Sequence, residues 1–407
     1  MKNMTQLEFY NLIKINPSPE IWLKSRKVKI RMLKALMNNI KNSLKHAKIT
    51  FHKYQLSKDS ARIFFFFNNE DIKKASEVIK KAFGVYSLSP VLRTSNKLKN
   101  IIERTIEVGE SILKKNDTFA LRVKRSGIHD YSSQDVAIKV GQEVIDYFSQ
   151  LRLKVNLSSP KKEIHIEIRG EFSYIFTDVI YTDWGGLPSE YTRKILCNDI
   201  GRLNDLFAAF LVMRRGCELY PIFFEVSENG GLLEKRILNW KELGEYSLHL
   251  NLKIRKVNIV KILETVKQTL VSDKYFCSIC RLLRFDILYR LLNQLDVKKF
   301  NLIKAISDGT SLNNNTLCND EVDLESIALN YMFSEYPIFT PVIGISRNRV
   351  EELIKKISYN IERLDYCQFK PQNQEIDLKE IKTLYKSLDL DSLIEKSIDD
   401  IEEYRLS

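Results

Sequence analysis

The stretch CNDIGRLNDLFAAFLVMRRGC, residues 197–217, reads as the end of a strand, a tight loop and then a helix. In that layout, backbone amides and a helix N-terminus can cradle the phosphates of a nucleotide. A second chemical signal is Cys277 and Cys280 in YFCSICRLLRF, a spacing at which two thiolates can share one metal. An iron-sulfur centre, zinc, a redox pair and two small residues packed at a helix start all satisfy it. A third is RVKRSGIHDYSS, residues 122–133, where Lys124, Arg125 and His129 flank a glycine turn and could track a phosphate backbone. Cys197, Cys217 and Cys318 have no spacing partner and read as core or incidental, and His46, His52, His165 and His249 carry no pattern.

The formal net charge of +12 is unevenly placed. Residues 1–190 carry 33 Lys and Arg against 20 Asp and Glu, and the remaining residues carry 31 against 32, so a front of +13 precedes a rear of −1. Such asymmetry suggests a polyanion-binding front, because neutralising phosphates with Lys and Arg supplies most non-specific nucleic-acid affinity. No stretch approaches the roughly 18 apolar residues of a membrane span, and MKNMTQLEFYNLIK lacks a signal-peptide core, so a cytoplasmic protein with no membrane partner is expected. In that setting six cysteines suit reduced thiols or metal ligands better than disulfides.

The elements that must position these groups follow from periodicity. Residues 1–92 read as LEFYNLIKI, a basic helix from Lys24 to Lys45, KITFHKYQL, ARIFFFFNN, the helix EDIKKASEVIKKAF and GVYSLSPVL. The order βαββαβ is the ferredoxin-like plan. In the first helix Ile30, Leu33, Leu36, Met37, Ile40 and Leu44 recur at helical spacing, which leaves Lys27, Arg31, Lys34 and Lys41 outside. Residues 93–183 add two helices, the second opened by Ser132, Ser133 and Asp135 as capping groups, and a hairpin in EIHIEIRGEFSYIFTDVI that turns near Gly170. TDWGGLPSEYTRK lacks periodicity and reads as a linker. Residues 184–376 then alternate strands with helices of 10 to 15 residues, the pattern of a doubly wound parallel sheet that binds ligands at the carboxyl ends of its strands. Residues 377–407 form an acidic helical tail. The expected fold class is thus α/β and α+β multidomain.

Several of these stretches together resemble the tRNA 4-thiouridine synthetases, the tRNA sulfurtransferases. PEIWLKSRKVKIRMLKALMNNIKNSLK (19–45) is similar to that family's opening strand and helix, and TFALRVKRSGIHDYSSQDVAIKVG (118–141) to the signature of its RNA-binding THUMP domain. EIHIEIRGEFSYIFTDVIYTDWGGLP (163–188) resembles the end of that module and the family's Gly-Gly-Leu-Pro joint, and AAFLVMRRGCELYPIFF (208–224) the first helix and second strand of its ATP-pyrophosphatase (PP-loop) domain. The resemblance implies a ferredoxin-like domain, a THUMP domain and a pyrophosphatase domain. It also implies tRNA as partner, with Lys24, Arg26, Lys27, Arg31, Lys34, Lys124, Arg125 and His129 facing it. The implied reaction adenylates uridine 8 with ATP and then replaces the adenylate with a protein-bound sulfur.

The match to that chemistry is uneven. The family's phosphate loop, Ser-Gly-Gly-x-Asp-Ser, falls on Ile200, Gly201, Arg202, Leu203, Asn204 and Asp205, so one glycine remains and both serines are gone. Gly201, Arg202 and Asn204 are the cofactor-binding candidates; a guanidinium is itself a good phosphate ligand. The family's Thr-Gly-Glu loop falls on SDGTSLNNNTLC (307–318), matched at Gly309 and Leu312 but not at Asp308 and Thr310, and Asp286 stands where a basic residue is usual. The sulfur side is closer: Cys367, in ERLDYCQFKP, lies near the position of the family's catalytic cysteine. With Cys277 and Cys280 it is similar to the three ligands of the iron-sulfur cluster of archaeal-type relatives. Two readings stay open. One is a tRNA sulfurtransferase served by a sulfur-donor protein; the other is a tRNA-binding relative that no longer adenylates, acting as a chaperone, as a homodimer or as the subunit of an active paralogue.

Overall fold

A computed structural model describes residues 10–190, 192–228, 230–246, 252–295, 303–312, 327–333, 335–364, 367–371 and 375–406. Two units divide the chain, Met1–Gly186 and Leu187–Ser407.

The first unit opens with β1 (Leu12–Pro17), α1 (Pro19–Trp22), α2 (Arg26–His46), β2 (Lys53–Leu56), β3 (Ile63–Phe66), α3 (Ile72–Ile79) and β4 (Val85–Ser95), the expected βαββαβ order. Helix α2 is amphipathic as its spacing predicts. Leu33, Leu36, Ile40 and Leu44 are buried while Lys27, Arg31 and Lys34 are exposed. There follow α4 (Leu98–Ile112), β5 (Thr118–Ser126), α5 (Ser133–Tyr147), β6 (Lys154–Val155), β7 (Lys162–Arg169), β8 (Phe172–Phe176) and β9 (Ile180–Tyr181). The strands run β2-β3-β1-β4-β8-β7-β5-β6, with β9 beside β4.

Strand β4 joins the two halves of this unit. Its residues Val85–Val91 pair with β1 and its residues Leu92–Ser95 pair with β8, so residue 92, the expected division, lies inside a strand. Leu12, Phe64, Phe66 and Val91 from one half pack with Tyr174 and Phe176 from the other. A charge cluster is buried beside them: the Lys14 ammonium lies 2.6 Å from Glu167 and 3.7 Å over the Phe176 ring, and Arg62 and Arg169 also reach Glu167. The capping box forms as its spacing implies. The Asp135 amide donates to the Ser132 hydroxyl at 3.1 Å, and the Ser132 amide donates to the Asp135 carboxylate at 2.8 Å.

The second unit contains β10 (Lys194–Asp199), α6 (Leu203–Arg214), β11 (Glu218–Glu225), α7 (Gly230–Gly244), β12 (Lys253–Asn258), α8 (Val260–Thr269), α9 (Phe276–Leu295), β13 (Ile303–Ser307), α10 (Ile327–Asn330), β14 (Ile338–Phe339) and α11 (Arg347–Ile357). Its strand order is β14-β13-β10-β11-β12-β15, where β15 is Glu402–Arg405, and it is parallel except at β15. Order reverses at β10, which pairs with both β11 and β13, and a ligand crevice belongs at the carboxyl ends there. Gly216, between α6 and β11, has φ +85° and backs onto Pro188, whose carbonyl oxygen would lie 2.6 Å from any β-carbon, so no other residue fits.

The tail is helical at α12 (Leu378–Ser387) and α13 (Asp391–Asp399), where Ile381, Tyr385, Ile394 and Ile398 enter the core of this unit. It then departs from the expected helix. Glu402–Arg405 form β15, antiparallel to β12, because Glu402 and Glu403 find Lys256, Lys253 and Arg255 on that strand. Among the described residues no helix is long and apolar enough to cross a membrane.

Candidate functional site

The loop after β10 is closed on itself. Asp199 ends the strand, and its carboxylate accepts from the Gly201 amide at 2.7 Å, from Arg236 at 2.7 Å and from the Trp240 indole at 2.7 Å. Asp205, in the first turn of α6, accepts from the Ile200 amide at 3.1 Å and from Arg202 Nε at 3.0 Å. Arg236 reaches across from α7 to the carbonyls of Asp199 and Phe224, at the ends of β10 and β11. Gly201 has φ +92°, which glycine alone adopts cheaply, and its Cα side is covered by the Arg236 side chain.

A third carboxylate completes the network from the end of β13. Asp308 accepts from Asn198 at 2.6 Å and from the Thr310 amide at 2.9 Å, and lies 4.0 Å from Arg202; Arg284 of α9 donates to Asn198 at 3.3 Å. Gly309 packs so closely on Asp205 that a β-carbon there would overlap it. Asp199, Asp205 and Asp308 are all buried, as are Arg202, Arg236 and Arg284, so three carboxylates meet three guanidiniums. Burial raises the Asp205 carboxyl against the pull of Arg202, with Asp199 and Asp308 adding to the rise. At Asp308 burial raises the carboxyl as well, but Arg202, Arg284 and the Thr310 hydroxyl outweigh it and hold it below the usual range. The Ile200 and Gly201 amides and the Arg202 guanidinium thus all donate to the chain's own carboxylates.

Cys277 and Cys280 both lie within the first turns of α9, which follows a single 3-10 turn, Asp273–Tyr275. Cys280 and Cys367 are half-buried and pack against the same core, and each is close enough for charge on one to affect the other. Burial pushes both thiols up, against Arg284 beside Cys280 and the Phe369 amide beside Cys367. Among the described residues no three His, Cys, Asp or Glu side chains gather as a metal site, so the donor set does not fit the implied cluster as it stands. Cys197 is buried in β10, Cys217 is half-buried, and Cys318 lies outside the described residues.

On the first unit, Lys24, Arg26, Lys27, Arg31 and Lys34 are all exposed along the entry and outer face of α2. Lys124 and Arg125 are exposed at the end of β5, and Arg125 Nη1 donates to the Gly127 carbonyl at 3.1 Å. His129 is partly buried instead: its ring meets the Ser126 carbonyl at 3.2 Å and stacks on Tyr131, which ties the loop to itself. Asn96 donates to the Gly170 carbonyl at 2.9 Å and holds the β7–β8 turn beside this loop.

Family models for the ThiI ferredoxin-like domain, the THUMP domain and the thiamine biosynthesis protein ThiI match residues 12–89, 95–178 and 201–390. A probable tRNA sulfurtransferase of Saccharolobus solfataricus is 30% identical over 390 residues, which cover 93% of this chain and 96% of that protein. The chain belongs to the tRNA sulfurtransferase family. A second relative in this family, from Methanothermobacter thermautotrophicus, is 29% identical over 350 residues, 84% of each chain. Among solved structures the fold is similar to a 4-thiouridine synthetase crystallised as an RNA complex with bound ATP, with TM-score 0.78 at 20% identity over 98% of this chain and 100% of that one.

Within this sulfurtransferase-family fold, Gly201 and Arg202, the expected cofactor-binding residues, are both engaged internally, and Asn204 is buried in the first turn of α6. Sequence reasoning missed Asp199, Arg236, Trp240, Arg284 and Asp308 as their partners. One signal was available. Arg236, Trp240 and Leu243 fall on one face of α7 at i, i+4 and i+7 and all are buried, and a charge within such a stripe requires a buried counter-charge. Asp286, where a basic residue was expected, is likewise engaged, bonded to Arg290 at 2.8 Å and to Tyr385 at 2.9 Å.

Proposed function

We propose that this chain is a tRNA-binding member of the sulfurtransferase family that serves 4-thiouridine formation at uridine 8 without adenylating at its own phosphate loop. The observation that carries this reading is the closed loop. The Ile200 and Gly201 amides donate to Asp205 and Asp199, and Arg202 is clamped on Asp205. A pyrophosphate entering there would have to displace two buried carboxylates and face both. The +13 front supports tRNA as the partner, as does the RNA in the solved structure of similar fold. In this reading activation of the uridine falls to an active paralogue with which the chain associates, or which it serves by presenting tRNA.

Cys367 is the candidate sulfur acceptor from a donor protein. The deciding experiment is AMP release from ATP with unmodified tRNA. We expect none above the protein-free rate, while tRNA is retained on the protein at low salt. Robust tRNA-dependent AMP formation overturns the reading of the loop, and absence of tRNA binding overturns the reading of the front.

A further inference from the structure

Between β1 and α2 the chain presents two large apolar residues to solvent. Trp22 is 51% exposed and Leu23 is 84% exposed, although Ile21 beside them is fully buried and anchors the turn. The Lys29 ammonium lies 3.9 Å over the Trp22 ring and holds the indole at the surface. Around it Lys24, Arg26 and Lys27 are exposed and form no ion pair among the described residues. The first turn of α2 contains no acid, and Ser25 supplies no side-chain cap. A half-exposed indole beside these exposed cations has a chemistry that matches a planar base carried on a polyanionic strand.

We propose that Trp22 is a stacking platform for an unpaired base of the bound RNA, with the phosphates on either side of that base meeting Lys24, Arg26, Lys27 and Lys29. The occupant is a single-stranded stretch of RNA. In a duplex each base face is already covered by its neighbours, whereas an unpaired base can splay out onto an aromatic ring. Stacking of this kind is tolerant of base identity, so Trp22 sets the register of the RNA on the first unit and leaves sequence choice to other contacts. The inference rests on the tRNA-binding reading and deepens it.

The test uses the full chain, a twelve-nucleotide oligouridylate, and a fully paired RNA duplex of the same length. Trp22→Ala should weaken oligouridylate binding about 10-fold, Trp22→Phe should restore most of it, and neither should change duplex binding. Lys24→Gln with Lys27→Gln should weaken both ligands and flatten the salt dependence, which Trp22→Ala leaves unchanged. Equal affinity of the wild type and Trp22→Ala for oligouridylate overturns the platform, as does an equal loss on both ligands. If the wild-type protein binds neither RNA, the tRNA-binding reading itself has failed; if it binds both and is indifferent to Trp22, only this inference has. Unchanged thermal unfolding of Trp22→Ala separates loss of a surface contact from loss of fold.

Discussion

At the scale of residues, both units bury charge, and in both the arrangement is closed by partners distant in sequence. Burial alone would raise the Glu167 carboxyl, but Lys14, Arg62 and Arg169 together hold it down to about 2, while burial lowers Lys14 to about 8 against the pull of Glu167. Glu167 therefore contributes stability that is present above its unfolded value near 4.5 and is lost as pH falls toward 2. Glu167→Gln leaves a buried ammonium without its counter-charge and should cost about 3–5 kcal/mol near pH 7. Urea unfolding should show the gap between variant and wild type shrinking as the pH is taken from 5 down toward 2. A gap independent of pH would mean that Glu167 acts by packing alone. The same logic applies at Arg202, whose guanidinium is bonded to Asp205 three residues on, an equally buried anion.

At the scale of elements, the helices and strands obey local rules. Helix α5 starts where a hydroxyl and an acid can cap each other's amides, and Ser132→Ala should destabilise the first unit by about 1 kcal/mol, read as a lower midpoint in thermal unfolding. An unchanged midpoint would mean that α4, which packs on α5, sets its start. Helix α9 is the opposite case. It is buried around most of its circumference, so Arg281, Arg284 and Asp286 enter the core along with Ile279, Leu282, Leu283 and Phe285. Its cysteines were legible as a spacing, but the helix that carries them was not legible as a wall of the phosphate loop, because the link runs through Arg284 to Asn198, 86 residues away. Strand β15 was read as helix for a related reason: its sequence is helical locally and acidic, and only the basic strand β12 makes it extended.

At the scale of the molecule, charge divides the work. Residues 1–190 carry a formal +13 and the remaining residues −1, and in the second unit Asp199, Asp205 and Asp308 lie with Arg202, Arg236 and Arg284 around the loop while Asp286 and Arg255 pair with Arg290 and Glu403. Binding of tRNA should weaken steeply with salt, and the double variant Lys24→Gln with Lys27→Gln should lower the slope of log affinity against log salt by about 2. A slope unchanged by that variant would place the phosphate contacts elsewhere on the unit.

The βαββαβ order of the first elements, the amphipathic face of α2, the capping box, the β7–β8 hairpin and the separation of a basic front from a neutral rear are all readable from the amino-acid sequence. These depend on periodicity, composition and contacts a few residues apart, which a linear reading contains. How the loop after β10 is closed follows from packing alone. The ends of β10, β11 and β13 bring Asp199, Asp205 and Asp308 together with Arg202, Arg236 and Arg284, and whether a buried carboxylate repels a phosphate or replaces it depends on which donors lie within 3 Å. That is a property of packing between elements up to 110 residues apart, and spacing along the chain does not encode it.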